Sequence, residues 1–347
     1  MPRPAAIRPQ PTRPVPGELA LIDSIRQKAA RTQSSSKALR IGIGDDCAIL
    51  RPTAGYEICI TTDFSLENVH FRRDLHPPQS VGHRCLARGL SDLAAMGADP
   101  LAVFLSLALP ARTSAAWVDG FMEGLLALAA QHHVPLAGGD TAQSPQLITA
   151  DIVAVGQLPR NAARLRSGAQ PGDFLYVTGA LGGSAAELLA FTHNPRKFRN
   201  LTTATRNHPH LYPQPRLAAG RRVRKLATAV IDTSDGLSTD LTHLCQASKL
   251  AAEIEEATLP IHPLAIHAKE AGLAPSALDL ALHGGEDYEL LFTAPPTTRI
   301  PRTLADTPIH RIGTMSKPRQ NQPQIVMKDR NGQRIPIQPA GWEHFSK

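Results

Sequence analysis

Apolar residues along the chain fall into short runs of two kinds, and the kinds alternate. RIGIG (40–44), YEICITTD (56–63), DPLAVFLSLALP (99–110) and QLITADIVAVGQL (146–158) are dense or alternating in apolar residues and are predicted strands. GELALIDSIRQKAA (17–30), PPQSVGHRCLARGLSDLAAMG (77–97) and SAAWVDGFMEGLLALAAQHH (114–133) carry helical spacing, the second with prolines at its start. RTQSSSK (31–37) is predicted to be a loop and VPLAGGD (134–140) a strand followed by a turn. After the polar connector RNAARLRSGAQPGD (160–173) the alternation restarts. DFLYVTGAL is a strand and GGSAAELLAF a helix; ATAVIDTSDGLSTDLTHLCQASK gives strand, turn and helix, and ALDLALHGGEDYELLFTAP gives helix, Gly-Gly turn and strand. A strand-rich stretch closes the chain.

This pattern predicts two α/β domains, 17–159 and 160–347. Ahead of them, MPRPAAIRPQPTRPVPG is rich in Pro and Arg, contains no acid before its end and has no helical period, so residues 1–16 are expected to be a disordered extension. A transit peptide would want an amphipathic, Ser-containing helix there.

Composition narrows the class. A chain of 347 residues with 42% hydrophobic and 19% charged residues has ample material for buried cores, and no apolar run approaches the ~20 residues of a membrane span. The expectation is a soluble cytoplasmic protein without a membrane partner. The four cysteines, Cys47, Cys59, Cys85 and Cys245, form no CxxC pair and fit unpaired thiols. A net charge of +7 invites nucleic acid, but the basic residues are scattered and aromatics are only 4%, so a surface attracting small phosphorylated ligands fits as well.

The acids change the picture. Asp46 follows RIGIG, Asp63 ends YEICITTD, Asp140 follows VPLAGG, Asp232 and Asp235 follow ATAVI, and Glu286 follows LALHGG; Asp92 lies within a predicted helix. Functional groups of α/β sheets gather in the loops that strand ends hold. A single acid at such a place is ordinarily solvated or a helix cap, and Asp235 is placed to cap the helix after it. Six at such addresses point to hard divalent cations, because Mg²⁺ takes oxygen ligands from a few carboxylates and from substrate phosphates. VTGALGGSAAELL adds a glycine-rich turn into a helix N-terminus that can hold an anion. No Walker loop and no dinucleotide-binding fingerprint is present.

In order, GIGDDCAIL, ITTDFSLENVHF, GLSDLAAMGADP, LAGGDT, RSGAQPGDFLYVTGALGGSAAEL, PQPRLAAG, IDTSDGLSTDL and HGGEDYELLF resemble the thiamine-monophosphate kinases of the aminoimidazole-ribonucleotide-synthetase-like superfamily. The resemblance implies transfer of the γ-phosphoryl group of the co-substrate ATP to thiamine monophosphate, with several Mg²⁺ ions and no phosphoenzyme. It implies a homodimer in which the N-terminal sheets of both chains form a barrel-like core. The metal ligands it implies are Asp46, Thr61, Thr62, Asp63, Asp92, Asp140, Asp232 and Asp235. For ATP it implies Gly139, Asp140, Arg166 and Ser234, and near the thiamine His70, Glu286 and Trp342. The sequence departs from the family at Asn68 and Glu187, where Gly is frequent, and at Thr233, where Leu is usual.

Chemistry agrees with that implication. Phosphoryl transfer is mostly positioning and charge neutralisation, and a phosphate acceptor is already anionic at pH 7, so no general base is required. The competing readings are a sister enzyme such as aminoimidazole ribonucleotide synthetase, a catalytically dead paralogue, and a basic nucleic-acid-binding protein.

Overall fold

The structure, a computed structural model, describes residues 17–34, 36–197, 208–320 and 322–342. The 1–16 extension therefore lies outside the described residues. In the first half, α1 (Glu18–Ser34) precedes a short ladder of β1 (Leu39–Ile41) and β2 (Ile49–Leu50). Then come β3 (Tyr56–Leu66), α2 (Pro78–Ala95), β4 (Asp99–Pro110), α3 (Ala115–Gln131), β5 (Leu136–Ser144) and β6 (Thr149–Pro159). The long strands form a sheet in the order β3-β6-β4-β5, with β4 and β5 parallel and the other neighbours antiparallel.

Helices α2 and α3 pack closely because glycines line their crossing. A Cβ on Gly82 would lie 1.8 Å from the Phe121 carbonyl oxygen, and one on Gly124 1.8 Å from that of Gln79. The period of two in β3 sends Thr61 and Asp63 toward α2 and turns Ile58, Ile60 and Phe64 outward, where they are 43%, 68% and 57% exposed.

The second half contributes β7 (Phe174–Thr178), α4 (Gly183–His193), α5 (Leu217–Val223), β8 (Ala229–Asp232), α6 (Leu237–Ser248) and β9 (Ala251–Glu255). It continues with α7 (Pro263–Glu270), α8 (Ala277–His283), β10 (Leu290–Ala294), β11 (Thr303–Leu304), β12 (Thr307–Ser316), β13 (Ile325–Lys328) and β14 (Arg334–Ile337). Its sheet runs β14-β13-β9-β12-β7-β10-β8, with β11 on β12, and only β13 with β9 is parallel. Strands β8 and β10 are buried on both faces, which explains their unbroken apolar runs. Val230, Leu290 and Phe292 join the core under α2 and α3, whereas Ile231 and Leu291 join Leu237, Leu241 and Leu244 of α6.

Four expectations need correction. Helix α1 does not stop at Ala30 but continues through Arg31–Ser34, because Ala29 and Thr32 extend its buried face. Strand β5 does not turn after Gly139; parallel pairing with β4 carries it to Ser144. Gly139 is glycine because a Cβ there would lie 1.9 Å from the Leu105 carbonyl oxygen. For the same reason Asp140 sits within a strand, and Asp63 likewise lies inside β3, which runs on to Leu66. Finally, Asp235 does not cap α6. The cap position is Gly236, with φ 107°, and the Asp240 carboxylate accepts the backbone N–H groups of Asp235 and Gly236 at 3.2 and 3.1 Å.

Candidate active site

A cavity of about 630 Å³ opens where α2 meets the β8–α6 loop, the 284–288 segment and α4. One end is acidic. Asp63 on β3, Asp92 on α2, Asp232 at the end of β8, and Asp235 in the following loop line it, with Thr62 and Ser234 beside them. Thr61 donates to Asp92, Thr62 Oγ1 to Asp151 at 2.7 Å, and Ser91 Oγ to Asp232 at 2.6 Å.

Mutual burial perturbs these acids. Burial, and then the Asp92 charge, push Asp63 up to about 6 against the opposing charge of Arg88. Asp232 is pushed up to about 7 by burial and the same Asp92 charge, with the Ser91 hydrogen bond opposing. Asp92 is itself raised by burial, while its Thr61 hydrogen bond and the charge of Arg166 act the other way. A cation bound among them would oppose that rise by favouring the charged forms. Among the described residues, no three His, Cys, Asp or Glu side chains make a ready cage for a metal. The donors are hard oxygens without thiol or imidazole among them, which suits Mg²⁺ completed by ligand phosphates.

Imidazole, aromatic and aliphatic side chains make up other parts of the wall, around the Glu286 carboxylate. They belong to His70, Phe71, His76, Leu188, His210 and Trp342. The Leu66 N–H donates to His70 Nδ1 at 2.9 Å, which puts the neutral ring's proton on Nε2. Asn68 adopts φ 68°, a left-handed conformation that Asn tolerates and Gly takes freely, so either residue can hold the backbone seen here. The Glu67 carboxylate ties down the same loop, accepting Arg73 Nε at 2.9 Å and the Ile148 N–H at 2.8 Å.

Glu286 is held between two arginines of α2. Arg84 Nη2 donates to it at 2.5 Å, and Arg88 donates to its other oxygen. Burial pushes the Glu286 carboxyl up, but the Arg84 and Arg88 charges outweigh burial and keep it below the usual carboxylate range. Sequence reasoning missed these arginines, although Arg84, Arg88 and Asp92 recur every four residues in RCLARGLSD and so share one helix face.

Not every expected site residue reaches this cavity. Asp46 lies on the exposed stretch between β1 and β2, its N–H bonded to Asp45. Gly139 and Asp140 line a separate cavity of about 100 Å³ with Ile22 and Ile25 of α1. Arg166 is exposed on the connector, with its charge felt at Asp92 and Asp232. The helix N-terminus after VTGALGG cannot serve as an anion site, since it is already filled: Gly182 and Ser184 N–H donate to the Asp287 carboxylate at 2.6 and 3.0 Å.

Comparison with known proteins adds to this geometry. A family profile described as AIR synthase related protein, N-terminal domain, matches residues 44–158, and the corresponding C-terminal domain profile matches 170–323. The chain is similar to the thiamine-monophosphate kinase of Salmonella typhimurium, 37% identical over 320 residues that cover 91% of this chain and 95% of the relative. A crystal structure of thiamine-monophosphate kinase from Stenotrophomonas maltophilia superposes with a TM-score of 0.76 at 35% identity, covering 93% of this chain and all of that one. A structure described as AaThiL complexed with AMPPCP and TMP gives a TM-score of 0.73 at 30% identity, covering 95% and 97% of the two chains.

Proposed function

The chain belongs to the thiamine-monophosphate kinase family, and on that premise we propose that it transfers the γ-phosphoryl group of ATP to thiamine monophosphate, giving thiamine diphosphate. Membership makes it a kinase of thiamine biosynthesis. The observation that carries the reading is the mixed wall of the large cavity, which brings four aspartates together with imidazoles, aliphatic groups and Trp342. A related structure holds an ATP analogue together with TMP, a pair of ligands that such a cavity matches.

Asp63, Asp92, Asp232 and Asp235, with Thr61 and Thr62, would hold Mg²⁺ at the acidic end; Asp46 and Asp140, which lie outside this cavity, are kept as further ligands on the family resemblance alone. Bound there, Mg²⁺ supplies neutralisation of the charge between donor and acceptor phosphates. Gly139, Asp140, Arg166 and Ser234 would meet ATP, with Arg166 neutralising phosphate charge. His70, Glu286 and Trp342 would orient the thiamine moiety, so that its phosphate oxygen lies in line with the γ-phosphorus. The acceptor oxygen is already anionic, and direct transfer needs neither a base nor a covalent intermediate.

The exposed face of Ile58, Ile60 and Phe64 supports a homodimer joined through the N-terminal sheets, with 17–159 as the metal-binding, dimer-forming domain and 160–347 as the second. Four free cysteines fit a reducing cytoplasm. Among the described residues, no helix is long and apolar enough to cross a membrane.

The test combines purified protein with ATP, Mg²⁺ and thiamine monophosphate and identifies the product by mass. Thiamine diphosphate is expected from thiamine monophosphate, and none from free thiamine at a comparable rate. γ-Labelled ATP without acceptor should leave no label on denatured protein. ATP consumption that does not depend on thiamine monophosphate would favour a sister enzyme such as aminoimidazole ribonucleotide synthetase, and salt-sensitive binding to tRNA without ATP consumption would favour a nucleic-acid-binding role.

A further inference from the structure

Glu187 is a charged residue in the apolar helix α4, and it is 3% exposed. A buried carboxylate is costly unless hydrogen bonds hold it. Glu187 accepts the His210 N–H at 2.7 Å and the Leu211 N–H at 3.3 Å, and its other oxygen lies 2.6 Å from His208 Nδ1. It thereby fixes the backbone that carries His210 to the wall of the large cavity.

The same helix also places the rings. Ser184, one turn before Glu187, has its Oγ 3.2 Å from His210 Nδ1. Phe191, one turn after, meets the His76 ring edge-on, with centroids 4.8 Å apart and planes at 74°. His76 Nε2 and His210 Nε2 are 3.1 Å apart, so one of them carries a proton and the other accepts it.

The surrounding backbone decides which. The Arg72 carbonyl oxygen, 3.2 Å from His76 Nδ1, already accepts the N–H groups of Leu75 and His76, whereas the Arg72 N–H donates to that nitrogen at the shorter distance of 3.0 Å. His76 Nδ1 is therefore the acceptor, His76 Nε2–H donates to His210 Nε2, and the His210 proton sits on Nδ1. That nitrogen lies 3.5 Å from Glu286 Oε2, on the carboxylate that Arg84 and Arg88 hold from α2.

We propose that Glu187 is a positioning residue for the acceptor side of the cavity: it fixes the 208–211 backbone, which sets the His76–His210 pair, and the pair sets the ring that stands beside the Glu286 carboxylate against which the acceptor is oriented. The inference rests on the reading of Glu286 as an acceptor contact. Glu187 stands where the family resemblance expects Gly, so the device is a property of this chain's own residues.

Two measurements test it. Steady-state kinetics of full-length Glu187→Gly should show a KM for thiamine monophosphate raised at least tenfold, with the KM for ATP and kcat within twofold of wild type. Glu187→Gln, which keeps a carbonyl oxygen for the His210 N–H, should recover most of the loss. Glu187→Gly combined with His210→Ala should be no worse than His210→Ala alone. Additive losses, or equal changes in both KM values, would overturn the proposal.

The second measurement needs no turnover. Long-range ¹H–¹⁵N spectra of the imidazoles should show one tautomer each, Nε2–H for His76 and Nδ1–H for His210. That signature should be lost in Glu187→Gly and kept in Glu187→Gln. Unchanged tautomers in the Gly variant would sink the proposal even if the protein proved inactive on thiamine monophosphate. Altered tautomers in a protein inactive on that substrate would instead reject only the functional reading.

Discussion

Glu286 and Asp287 are neighbours in the chain and serve opposite sides of it: Glu286 enters the large cavity between Arg84 and Arg88, while Asp287 closes the amino end of α4. The alternation continues, with Tyr288 on the cavity and Glu289 turned to Arg216, whose Nε donates to it at 2.8 Å. Glu286 and Tyr288 both hold positive φ, 65° and 52°. Bonds from the Glu286 N–H to the Ser234 oxygen and from the Tyr288 N–H to the Thr233 oxygen hold that conformation. Four successive residues thus link the acceptor side of the cavity to the sheet behind it.

Glu286→Gln should therefore cost stability as well as binding. The arginines flanking it are 4% and 11% exposed, and Arg84 Nε and Nη1 have no partner in the described structure. Removing the negative charge held between two buried guanidinium groups leaves Arg84 without its ion-pair partner and Arg88 with only the charge of Asp63 facing it, a loss of about 3 kcal/mol. Urea denaturation should show that loss. A midpoint equal to wild type would mean that water or a counter-ion already balances the arginines.

Asp63→Asn and Asp232→Asn should abolish activity without unfolding the chain. Each acid is raised by burial and by Asp92, so neutralising one relieves repulsion in the metal-free protein. With a chelator present, melting temperatures should equal or exceed wild type. Turnover should fall by a factor of about 100 or more at ordinary Mg²⁺. Wild-type turnover in either variant would remove that residue from the ligand set.

Much of this site was legible in the sequence, and the missing parts share a cause. Asp232 and Asp235 after β8, Glu286 before β10 and Asp92 on the face of α2 do meet at the large cavity, because strand ends and helix faces are local properties. The filling of the α4 N-terminus by Asp287 was not legible, since the two are more than 100 residues apart in sequence. Nor was the length of β5, which pairing with β4 decides over its own glycines. Glu187 looked like a departure from its family, but its partners at 208–211 arrive only through tertiary folding. The Arg84, Arg88 and Asp92 stripe, by contrast, was present as helical spacing and needed only to be counted.

Acid should destabilise the protein through its buried imidazoles. Burial, and then the Arg84 charge, hold His76 down to about 3, while an unfolded histidine protonates near 6.5. Between those values the unfolded chain binds a proton that the folded chain refuses. Stability present above about pH 6.5 is therefore lost as pH falls toward 3, at up to about 1.4 kcal/mol per pH unit for this ring. In His76→Gln that contribution should vanish. Urea midpoints of wild type and variant, compared between pH 7 and pH 5, should converge toward acid; parallel curves would show that His76 titrates normally.

Trp342 gives a second test of the proposed acceptor contacts. The ring is 52% exposed and lines the cavity, on a segment held by backbone bonds: Trp342 N–H to the Asp235 oxygen at 3.1 Å and Gly341 N–H to Thr239 Oγ1 at 3.1 Å. Gly341 is required for space, because a Cβ there would lie 1.9 Å from that same Asp235 oxygen. The segment is thus anchored through its backbone, and the half-exposed indole adds little to the core. Trp342→Ala should leave the melting temperature unchanged and raise the KM for thiamine monophosphate. Stacking on a cationic ring is worth roughly 0.5–2 kcal/mol, so a threefold to thirtyfold rise is expected, with the KM for ATP unmoved. Trp342→Phe should recover part of it, since a ring face remains. If Trp342→Ala shifts both KM values together and lowers the melting temperature, the indole covers the β8–α6 loop and does not touch the acceptor.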